Sequence, residues 1–361
     1  MGGMPSSVTL DLTKNVVDLT ADLCDIASVS KNERAIADAV EAALLKVTHL
    51  DVVRDGNVIV ARTQLGRDER VVLAGHLDTV PLTQDPPNIP VRRIDGMLVG
   101  RGTTDMKGGV AVQLAVAAQL PEPSRDVTYI FYDCEEIEEE FNGLKRVGQQ
   151  QPDLLDADFA VLLEPTDGGI EGGCKGTLRV DVGTKGTSAH SARPWNGSNA
   201  IHTAADVLTR LTKYEPQTVH VDGLDYHEAL NAVGISGGIA GNVIPDRCTV
   251  SVNYRFAPNK SADEALAHVV GVFDGYDVVL GDCAIGARPG LDLPAAKAFV
   301  QALGLPVVAK EGWTDVARFA ALDIPAVNFG PGDPNLAHTD DERCPEHQIE
   351  DVLAALLRWL A

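Results

Sequence analysis

Continuous apolar runs alternate with helical stretches along the N-terminal third of the chain. Residues 71–75, 127–132 and 159–163 are short apolar runs, which is typical of strands buried on both faces. Residues 32–47 have apolar positions at helical spacing, and another helix is predicted to begin near Lys107. Alternating strands and helices predict an α/β domain with a central sheet.

Two local signals complete this first region. Asp11 is predicted to cap a helix that runs to about Ser28. Residues 52–53 and 57–61, separated by Asp55 and Gly56, predict a hairpin.

The pattern changes near residue 173 and changes back near residue 286. Between these points strands and helices are predicted in the order β-α-β-β-α-β, at residues 177–183, 199–211, 232–239, 247–256, 262–273 and 276–280. This order predicts an inserted α+β domain, ferredoxin-like, at 174–285. The α/β pattern then resumes with elements at 293–303, 306–309, 325–329 and from 347. Residues 1–173 and 286–361 are therefore predicted to form one discontinuous domain.

Polar side chains with metal-ligating groups follow the predicted strands of the discontinuous domain. They are His76, Asp105, Glu136, Glu164 and His338, with Asp78 and Glu135 within two residues of them. In open α/β sheets the ligand crevice lies beyond the carboxyl ends of the strands. We therefore expect these side chains to meet at one edge of the sheet.

Three carboxylates packed together without cations would repel one another, and some would have to stay protonated. Two divalent cations would neutralise three carboxylates and one hydroxide, so the set predicts a hydrolytic metal centre. A neighbouring carboxylate such as Glu135 could then act as general base. Simpler interpretations remain for each residue alone: Asp105 could be a helix N-cap, His76 an exposed loop residue and Glu136 part of a solvated acidic loop.

Composition limits the classes of molecule that the protein is expected to bind. The formal net charge is -22, which argues against nucleic acid or an anionic membrane, and implies that an anionic substrate needs a local basic pocket. No apolar run approaches the length of a membrane span, and no N-terminal signal pattern is seen. Six scattered cysteines without a CxxC pair indicate reduced thiols. We therefore expect a cytoplasmic protein.

Taken together, these motifs resemble the M20 family of dinuclear zinc metallohydrolases. The resemblance is carried by residues 75–81, 100–109, 135–136, 164–166, 186–194 and 241–245 and by His338. It implies a zinc-hydrolase-type catalytic domain with a mixed central sheet, and a lid at 174–285 that also forms a homodimer. Within the family, residues 132–136, 173–180 and 312–319 are most similar to actinobacterial enzymes that hydrolyse N-succinyl-LL-2,6-diaminopimelate.

The resemblance also implies a role for each site residue. Asp105 would bridge two Zn²⁺ ions per subunit, one of them replaceable by Co²⁺; His76 and Glu164 would complete one coordination shell, and Glu136 and His338 the other. Glu135 would be the general base, and Asp78 would hydrogen-bond to the far imidazole nitrogen of His76. His190 and Asn242 would reach the partner subunit's active site. Substrate contacts would come from Lys175, Asn242, Arg255, Thr314 and Arg318.

The expected reaction is amide hydrolysis of a small anionic substrate, releasing succinate and LL-2,6-diaminopimelate for lysine and cell-wall synthesis. Many bacterial relatives carry arginine where Lys175 stands, and lysine lacks the two-pronged grip of a guanidinium on carboxylate. N-acetylornithine deacetylase, aminoacylase and metallocarboxypeptidase activities therefore remain alternatives within the family. A catalytically silent metal-binding protein is the alternative outside the enzyme class.

Overall fold

The computed structural model describes residues 9–85 and 87–361, and the chain divides into two compact units. The first unit comprises the chain up to Gly172, Gly290–Val308 and Arg318–Ala361. The second unit comprises Gly173–Pro289 and Ala309–Ala317. Residues 1–8 of the predicted catalytic domain lie outside the described part of the chain. Residues 309–317, which the sequence assigned to the catalytic domain, belong to the second unit together with 286–289.

The first part of the chain forms four helices and eight strands among the described residues. In chain order they are α1 Val16–Cys24, α2 Arg34–Leu44, β1 Asp51–Asp55, β2 Val58–Arg62, β3 Arg70–His76, β4 Arg92–Ile94, β5 Met97–Val99, α3 Lys107–Gln119, β6 Asp126–Tyr132, α4 Gly143–Gln150, β7 Phe159–Leu162 and β8 Ile170–Gly172.

The second unit follows with β9 Gly176–Lys185, α5 Ala200–Thr212, β10 Thr218–Val221, β11 Leu224–His227, β12 Ala229–Gly237, β13 Arg247–Phe256, α6 Ala262–Val272 and β14 Asp277–Ala284. The last part of the chain adds α7 Pro294–Leu303, β15 Val307–Ala309, α8 Val316–Ala320, β16 Ala326–Asn328, β17 Arg343–Pro345 and α9 Glu346–Leu360.

The main sheet of the first unit is mixed and has the strand order β1-β2-β6-β3-β7-β16-β8-β15. β3 pairs in parallel with both β6 and β7, and β7 pairs in parallel with β16. β6 is buried along its whole length, as expected for a central strand covered on both faces. Helix α3 is buried for most of its length, and it contacts β3, α1 and α9.

The second unit contains a four-stranded antiparallel sheet with the order β12-β13-β9-β14. Helices α5 and α6 pack on one face of it, where alternate residues of β9 and β13 are buried. Chain order and strand order together are those of a ferredoxin-like βαββαβ fold. The predicted fold class, an α/β domain with a mixed sheet plus an α+β unit, is confirmed.

Local differences from the prediction have physical causes. Helix α1 begins at Val16 and not near Asp11, because the side chain of Asn15 accepts the backbone N–H of Asp18 and caps the helix. Two structures were not predicted: the β10–β11 hairpin, and the small sheet β17-β5-β4. The strands of that sheet have three residues each, too few for a period to be recognised.

Candidate metal centre

The carboxyl ends of three adjacent parallel strands bring the predicted ligands to one edge of the main sheet. His76 is the last residue of β3 and lies opposite Tyr132, the last residue of β6. Glu135 and Glu136 follow β6, and Glu164 follows β7 by two residues. Parallel pairing therefore places these side chains together, as the sequence predicts.

Two groups of three side chains meet at this edge and share one member. His76, Asp105 and Glu164 form the first group, and Asp105, Glu136 and His338 form the second; within each group the ligand atoms lie within 4.8 Å of one another. All five residues belong to the first unit. The structure thus brings together the five side chains predicted as ligands.

Asp105 directs one carboxylate oxygen at each imidazole. Its Oδ1 lies 3.1 Å from Nε2 of His76, and its Oδ2 lies 3.3 Å from Nε2 of His338. Nε2 of His338 also lies 2.8 Å from Oε2 of Glu136, and Nε2 of His76 lies 3.9 Å from Oε1 of Glu164. A carboxylate that faces two donor sets in this way has the arrangement of a bridging ligand.

Attraction between carboxylates and imidazoles and repulsion between carboxylates both shift pKa values in this cluster. Burial alone would raise the pKa of Asp105, but hydrogen bonds with His338 and His76 lower it far below its ordinary value. Hydrogen bonds with Asp105 and Glu136 raise the pKa of His338 to about 10. Burial and the neighbouring Asp105 raise the pKa of Glu136. The imidazoles are the groups of opposite charge that face these carboxylates, of which Glu164 is buried and Asp105 and Glu136 are half-buried.

The donor set fits divalent metal ions. Imidazole nitrogen and carboxylate oxygen are standard ligands of Zn²⁺. Oε1 of Glu136 is buried and has no hydrogen-bond partner among the described residues, although buried polar atoms normally have one. A cation between Glu136, Asp105 and His338 would satisfy that oxygen and replace the repulsion between the two carboxylates by attraction.

Asp78 contacts the far imidazole nitrogen of His76 with two of its oxygens. Nδ1 of His76 lies 3.0 Å from the backbone oxygen of Asp78 and 3.5 Å from its carboxylate Oδ1. The carboxylate also accepts the backbone N–H groups of Glu135 and Glu136, at 3.0 and 3.1 Å, and the hydroxyl of Ser30. Asp78 therefore orients His76 through its backbone oxygen and its carboxylate, and its side chain also holds the segment that carries Glu135 and Glu136.

Two residues near the ligands have backbone conformations that are uncommon outside glycine. Cys134, immediately before Glu135, has φ of 58°, and His338 has φ of 64°. Such conformations cost about 1–3 kcal/mol each and are concentrated at functional sites.

One buried carboxylate beside the centre was not predicted. Glu342 is 2% exposed. Its Oε1 accepts the backbone N–H groups of Thr104 and Asp105, and its Oε2 accepts a hydrogen bond from Arg101. The available signal was its position four residues after His338, and that spacing alone does not predict burial.

His190 and Asn242 lie next to each other within the second unit. His190 is exposed and forms an isolated β-bridge with Val243, and the backbone N–H of Ser191 donates to the backbone oxygen of Asn242. Nδ1 of His190 accepts the backbone N–H of Ala192 at 3.1 Å. Because Nδ1 accepts this hydrogen bond, the N–H of the ring that can donate to a ligand is that of Nε2.

The predicted substrate contacts occupy different surroundings. Lys175 is buried in the second unit, where its Nζ lies 2.5 Å from Oε2 of Glu311 and donates to the backbone oxygen of His227. Sγ of Cys174, the residue before Lys175, lies 3.7 Å from the backbone oxygen of Thr314. The Lys175 and Thr314 segments are therefore close together.

The two arginines proposed as substrate contacts belong to different units. Arg255 is half-buried on β13 of the second unit, and burial lowers its pKa. Arg318 belongs to the first unit, where its Nη1 lies 3.1 Å from Oε1 of Glu139.

Comparison with known proteins places the chain in a family. Residues 72–361 match the Peptidase family M20/M25/M40, and the chain belongs to it. The chain is 55% identical over 354 residues to the "Putative succinyl-diaminopimelate desuccinylase DapE" of Mycobacterium tuberculosis, covering 97% of this chain and 99% of that one. It is 45% identical over 363 residues to the succinyl-diaminopimelate desuccinylase of Corynebacterium glutamicum, covering 98% of each. The predicted resemblance is confirmed.

Solved structures support the same fold. A tripeptidase of Staphylococcus aureus has a TM-score of 0.78 at 21% identity and covers 98% of both chains. An M20 family metallo-carboxypeptidase of Sulfolobus solfataricus has a TM-score of 0.77 at 16% identity, covering 96% of this chain and 98% of that one. Among residues 9–85 and 87–361, no helix combines the length and apolar character needed to cross a membrane.

Proposed function

We propose that the protein hydrolyses the amide of N-succinyl-LL-2,6-diaminopimelate, giving succinate and LL-2,6-diaminopimelate. The observation that carries the hydrolytic part is the position of Asp105 between two ligand groups, each with one histidine and one glutamate. The substrate is supported by the names of the relatives at 55% and 45% identity, which align along nearly the full chain. The product amine serves lysine and diaminopimelate biosynthesis.

The cofactor is two Zn²⁺ ions per subunit, with Co²⁺ able to replace one of them. His76, Asp105 and Glu164 would hold one ion, and Asp105, Glu136 and His338 the other. When bound, the ions polarise the amide carbonyl and lower the pKa of water. The orphaned oxygen of Glu136 supports the second site.

The protein's own groups move the proton and hold the developing charge. Glu135 takes a proton from the attacking water and later gives it to the leaving amine, so that the C–N bond breaks as succinate and amine form. The two hydrogen bonds from the Glu135 and Glu136 backbone to Asp78 hold this segment in place. The Nε2–H of His190 donates a hydrogen bond to the oxyanion of the tetrahedral intermediate.

Cationic and polar side chains recognise the carboxylates of the substrate. Lys175, Arg255 and Arg318 are proposed as the charged partners, with Asn242 and Thr314 as hydrogen-bond donors. The formal charge of the chain is -22, so that a substrate with three carboxylates requires such local cations.

A homodimer formed through the second unit is supported by the apolar side chains on one edge of that unit. β12 is an edge strand of its sheet, and Val233 and Ile235 on it are 62% and 56% exposed. Ile201 on α5 is 40% exposed. Exposed apolar groups on an edge strand are a liability unless a partner covers them. His190 and Asn242 then act in the partner subunit's active site.

The protein works in the cytoplasm. All six cysteines are free, five of them buried, as is usual in a reducing compartment.

The substrate proposal is tested by assaying zinc-loaded protein with succinyl-diaminopimelate, acetylornithine and dipeptides, with chelator-treated protein as control. We expect turnover of the first compound with release of succinate. Turnover of acetylornithine or a dipeptide without turnover of succinyl-diaminopimelate would reject the substrate and retain the metallohydrolase. No turnover of any of the three, despite bound zinc, would favour the catalytically silent alternative.

A further inference from the structure

Arg101 and Glu342 form a buried ion pair beside the ligand groups, within the first unit. Arg101 is 3% exposed and Glu342 is 2% exposed. Nη1 of Arg101 lies 2.7 Å from Oε2 of Glu342. The two residues belong to the two segments that carry ligands: Arg101 precedes Asp105 by four positions, and Glu342 follows His338 by four.

The other oxygen of Glu342 binds the backbone of the bridging ligand itself. Oε1 accepts the N–H groups of Thr104 and Asp105, both at 3.1 Å. An arginine-paired carboxylate that also accepts two N–H groups restricts that backbone more strongly than neutral hydrogen bonds do. The direction in which the Asp105 side chain extends from the backbone therefore depends on Glu342.

Arg101 binds the backbone of the segment that carries His338. Its Nη1 also donates to the backbone oxygen of Thr339, the residue after His338, at 3.2 Å. The backbone N–H of Gly100 donates to the backbone oxygen of Glu342 at 2.9 Å. Pairing of β5 with β17 continues this connection along both segments.

We propose that Glu342 and Arg101 are positioning residues for the metal centre. They fix the segments of Asp105 and His338 against each other, so that both oxygens of Asp105 are presented to the two histidines. The proposal rests on the proposed metal-binding function. It assigns no contact with metal or substrate to either residue: both act through the backbone of the ligand segments. Groups that orient metal ligands typically contribute about 10–100-fold to metal affinity.

Asp126 provides a matched control for Glu342. It is 3% exposed, its carboxylate accepts the backbone N–H groups of Leu65 and Arg67, and Oδ2 lies 3.6 Å from Nη2 of Arg70. Asp126 begins β6, whereas the ligand Glu136 follows the end of that strand. Asp126→Ala and Glu342→Ala therefore remove the same kind of group, at opposite ends of the strands.

The experiment is a zinc titration of the metal-free full-length protein against a chromophoric chelator. We expect Glu342→Ala to weaken zinc binding by about 10–100-fold. Asp126→Ala should lower the melting temperature and leave both zinc affinities unchanged. Glu342→Gln retains an oxygen that can accept both N–H groups, so we expect an intermediate loss. A general loss of stability would affect Glu342→Ala and Asp126→Ala alike, so it would not lower the zinc affinity of Glu342→Ala alone.

Wild-type zinc affinity at both sites in folded Glu342→Ala would overturn the proposal. If that variant does not fold, Glu342→Gln and Arg101→Lys are measured against Asp126→Asn, and unchanged affinity in both would overturn it equally. The titration needs no substrate. Loss of affinity in a protein that does not hydrolyse succinyl-diaminopimelate would therefore reject the proposed substrate and support the positioning role. A wild-type protein that binds no zinc would reject both.

Discussion

Asp105 and Glu136 are both half-buried carboxylates of the same cluster, yet their surroundings shift their pKa values in opposite directions. Hydrogen bonds with two histidines outweigh the effect of burial on the pKa of Asp105, whereas burial and the negative charge of Asp105 outweigh the effect of the histidines on the pKa of Glu136. Bound metal ions would place positive charge beside both carboxylates and offset the repulsion that raises the pKa of Glu136.

Glu135 is the residue whose proposed role can be separated from metal binding. It belongs to neither ligand group. We expect Glu135→Ala to keep its zinc content and to lose about 10²–10⁴-fold in turnover, because only proton transfer is removed. The control is Glu138→Ala, an exposed carboxylate three residues on that should leave both quantities unchanged. Zinc per chain by atomic absorption and initial rates measure the two effects; an active Glu135→Ala variant would exclude Glu135 as the general base.

His268 in the second unit is a histidine with a structural environment. Its ring stacks on Tyr254 at 4.9 Å, and its Nε2 lies 2.9 Å from the hydroxyl of Tyr214. Burial lowers its pKa, Lys260 lowers it further, and Glu228 raises it in part. The folded protein therefore keeps this imidazole neutral at a pH where the unfolded chain already binds a proton.

The direction of the pH effect follows from that difference. As pH falls below about 6.5, the unfolded chain gains a proton at this position first, so the contribution of His268 to stability decreases. We expect the urea midpoint of His268→Gln to fall less between pH 7.5 and 5.5 than that of the wild type. His202→Gln, an exposed position on α5, should follow the wild-type trend. Equal slopes for all three proteins would refute the assignment.

Which individual residues could be predicted depended on their local context. His76 and Glu164 follow apolar strands, so their positions indicated the sheet edge. Glu342 could not be predicted, because its burial depends on the pairing of β5 with β17, two short strands far apart in sequence. The additional contact of the Asp78 backbone oxygen with Nδ1 of His76, at 3.0 Å, depends on the local path of the backbone, which the sequence does not define.

At the scale of elements, long segments with a clear period were predicted well. Strands β3, β6 and β7 were predicted within one residue because their apolar runs are continuous. The ends of α1 depended on one capping side chain, since Asn15 and Asp11 are both suitable caps and only Asn15 binds the backbone of Asp18.

The approach of α3 to the end of β7 positions Glu164, and a glycine makes it possible. A Cβ on Gly109 would lie 2.1 Å from the backbone oxygen of Leu163, the residue before Glu164. We expect Gly109→Ala to cost about 1–3 kcal/mol of unfolding free energy, because backbone must move to admit the methyl group. The displacement includes a ligand segment, so zinc affinity should fall as well.

Gly271 on α6 is the comparison for Gly109. Among the described residues, and apart from its chain neighbours and the backbone of its own helix, nothing lies within 4 Å of the position that its Cβ would take. Gly271→Ala should therefore stabilise the protein by about 0.4–1 kcal/mol, mainly by restricting the unfolded chain. Urea unfolding and zinc titration of the two variants provide the measurement. A Gly109→Ala variant as stable as Gly271→Ala would contradict the close packing of α3 on β7.

At the scale of the whole molecule, the chain leaves the first unit after Gly172 and returns to it at Gly290 and again at Arg318. His338 thereby joins ligands from the N-terminal half, although a complete second fold is inserted between them. Periodicity in the sequence indicated the insertion. It could not indicate that residues 309–317 belong to the second unit, because that segment lies far along the chain from 174–285.

Complementation between subunits tests whether the second unit acts across a dimer. His190→Ala and Glu135→Ala are each expected to be inactive alone. In a mixed heterodimer, one active site combines an intact Glu135 with the partner's intact histidine. After complete exchange of equal amounts, about a quarter of wild-type activity should return, since half of the dimers are mixed and each has one complete site. The doubly substituted His190→Ala/Glu135→Ala protein, mixed with either single variant, should restore none. If native mass spectrometry shows mixed dimers and activity does not exceed the sum of the separate variants, His190 does not act in trans.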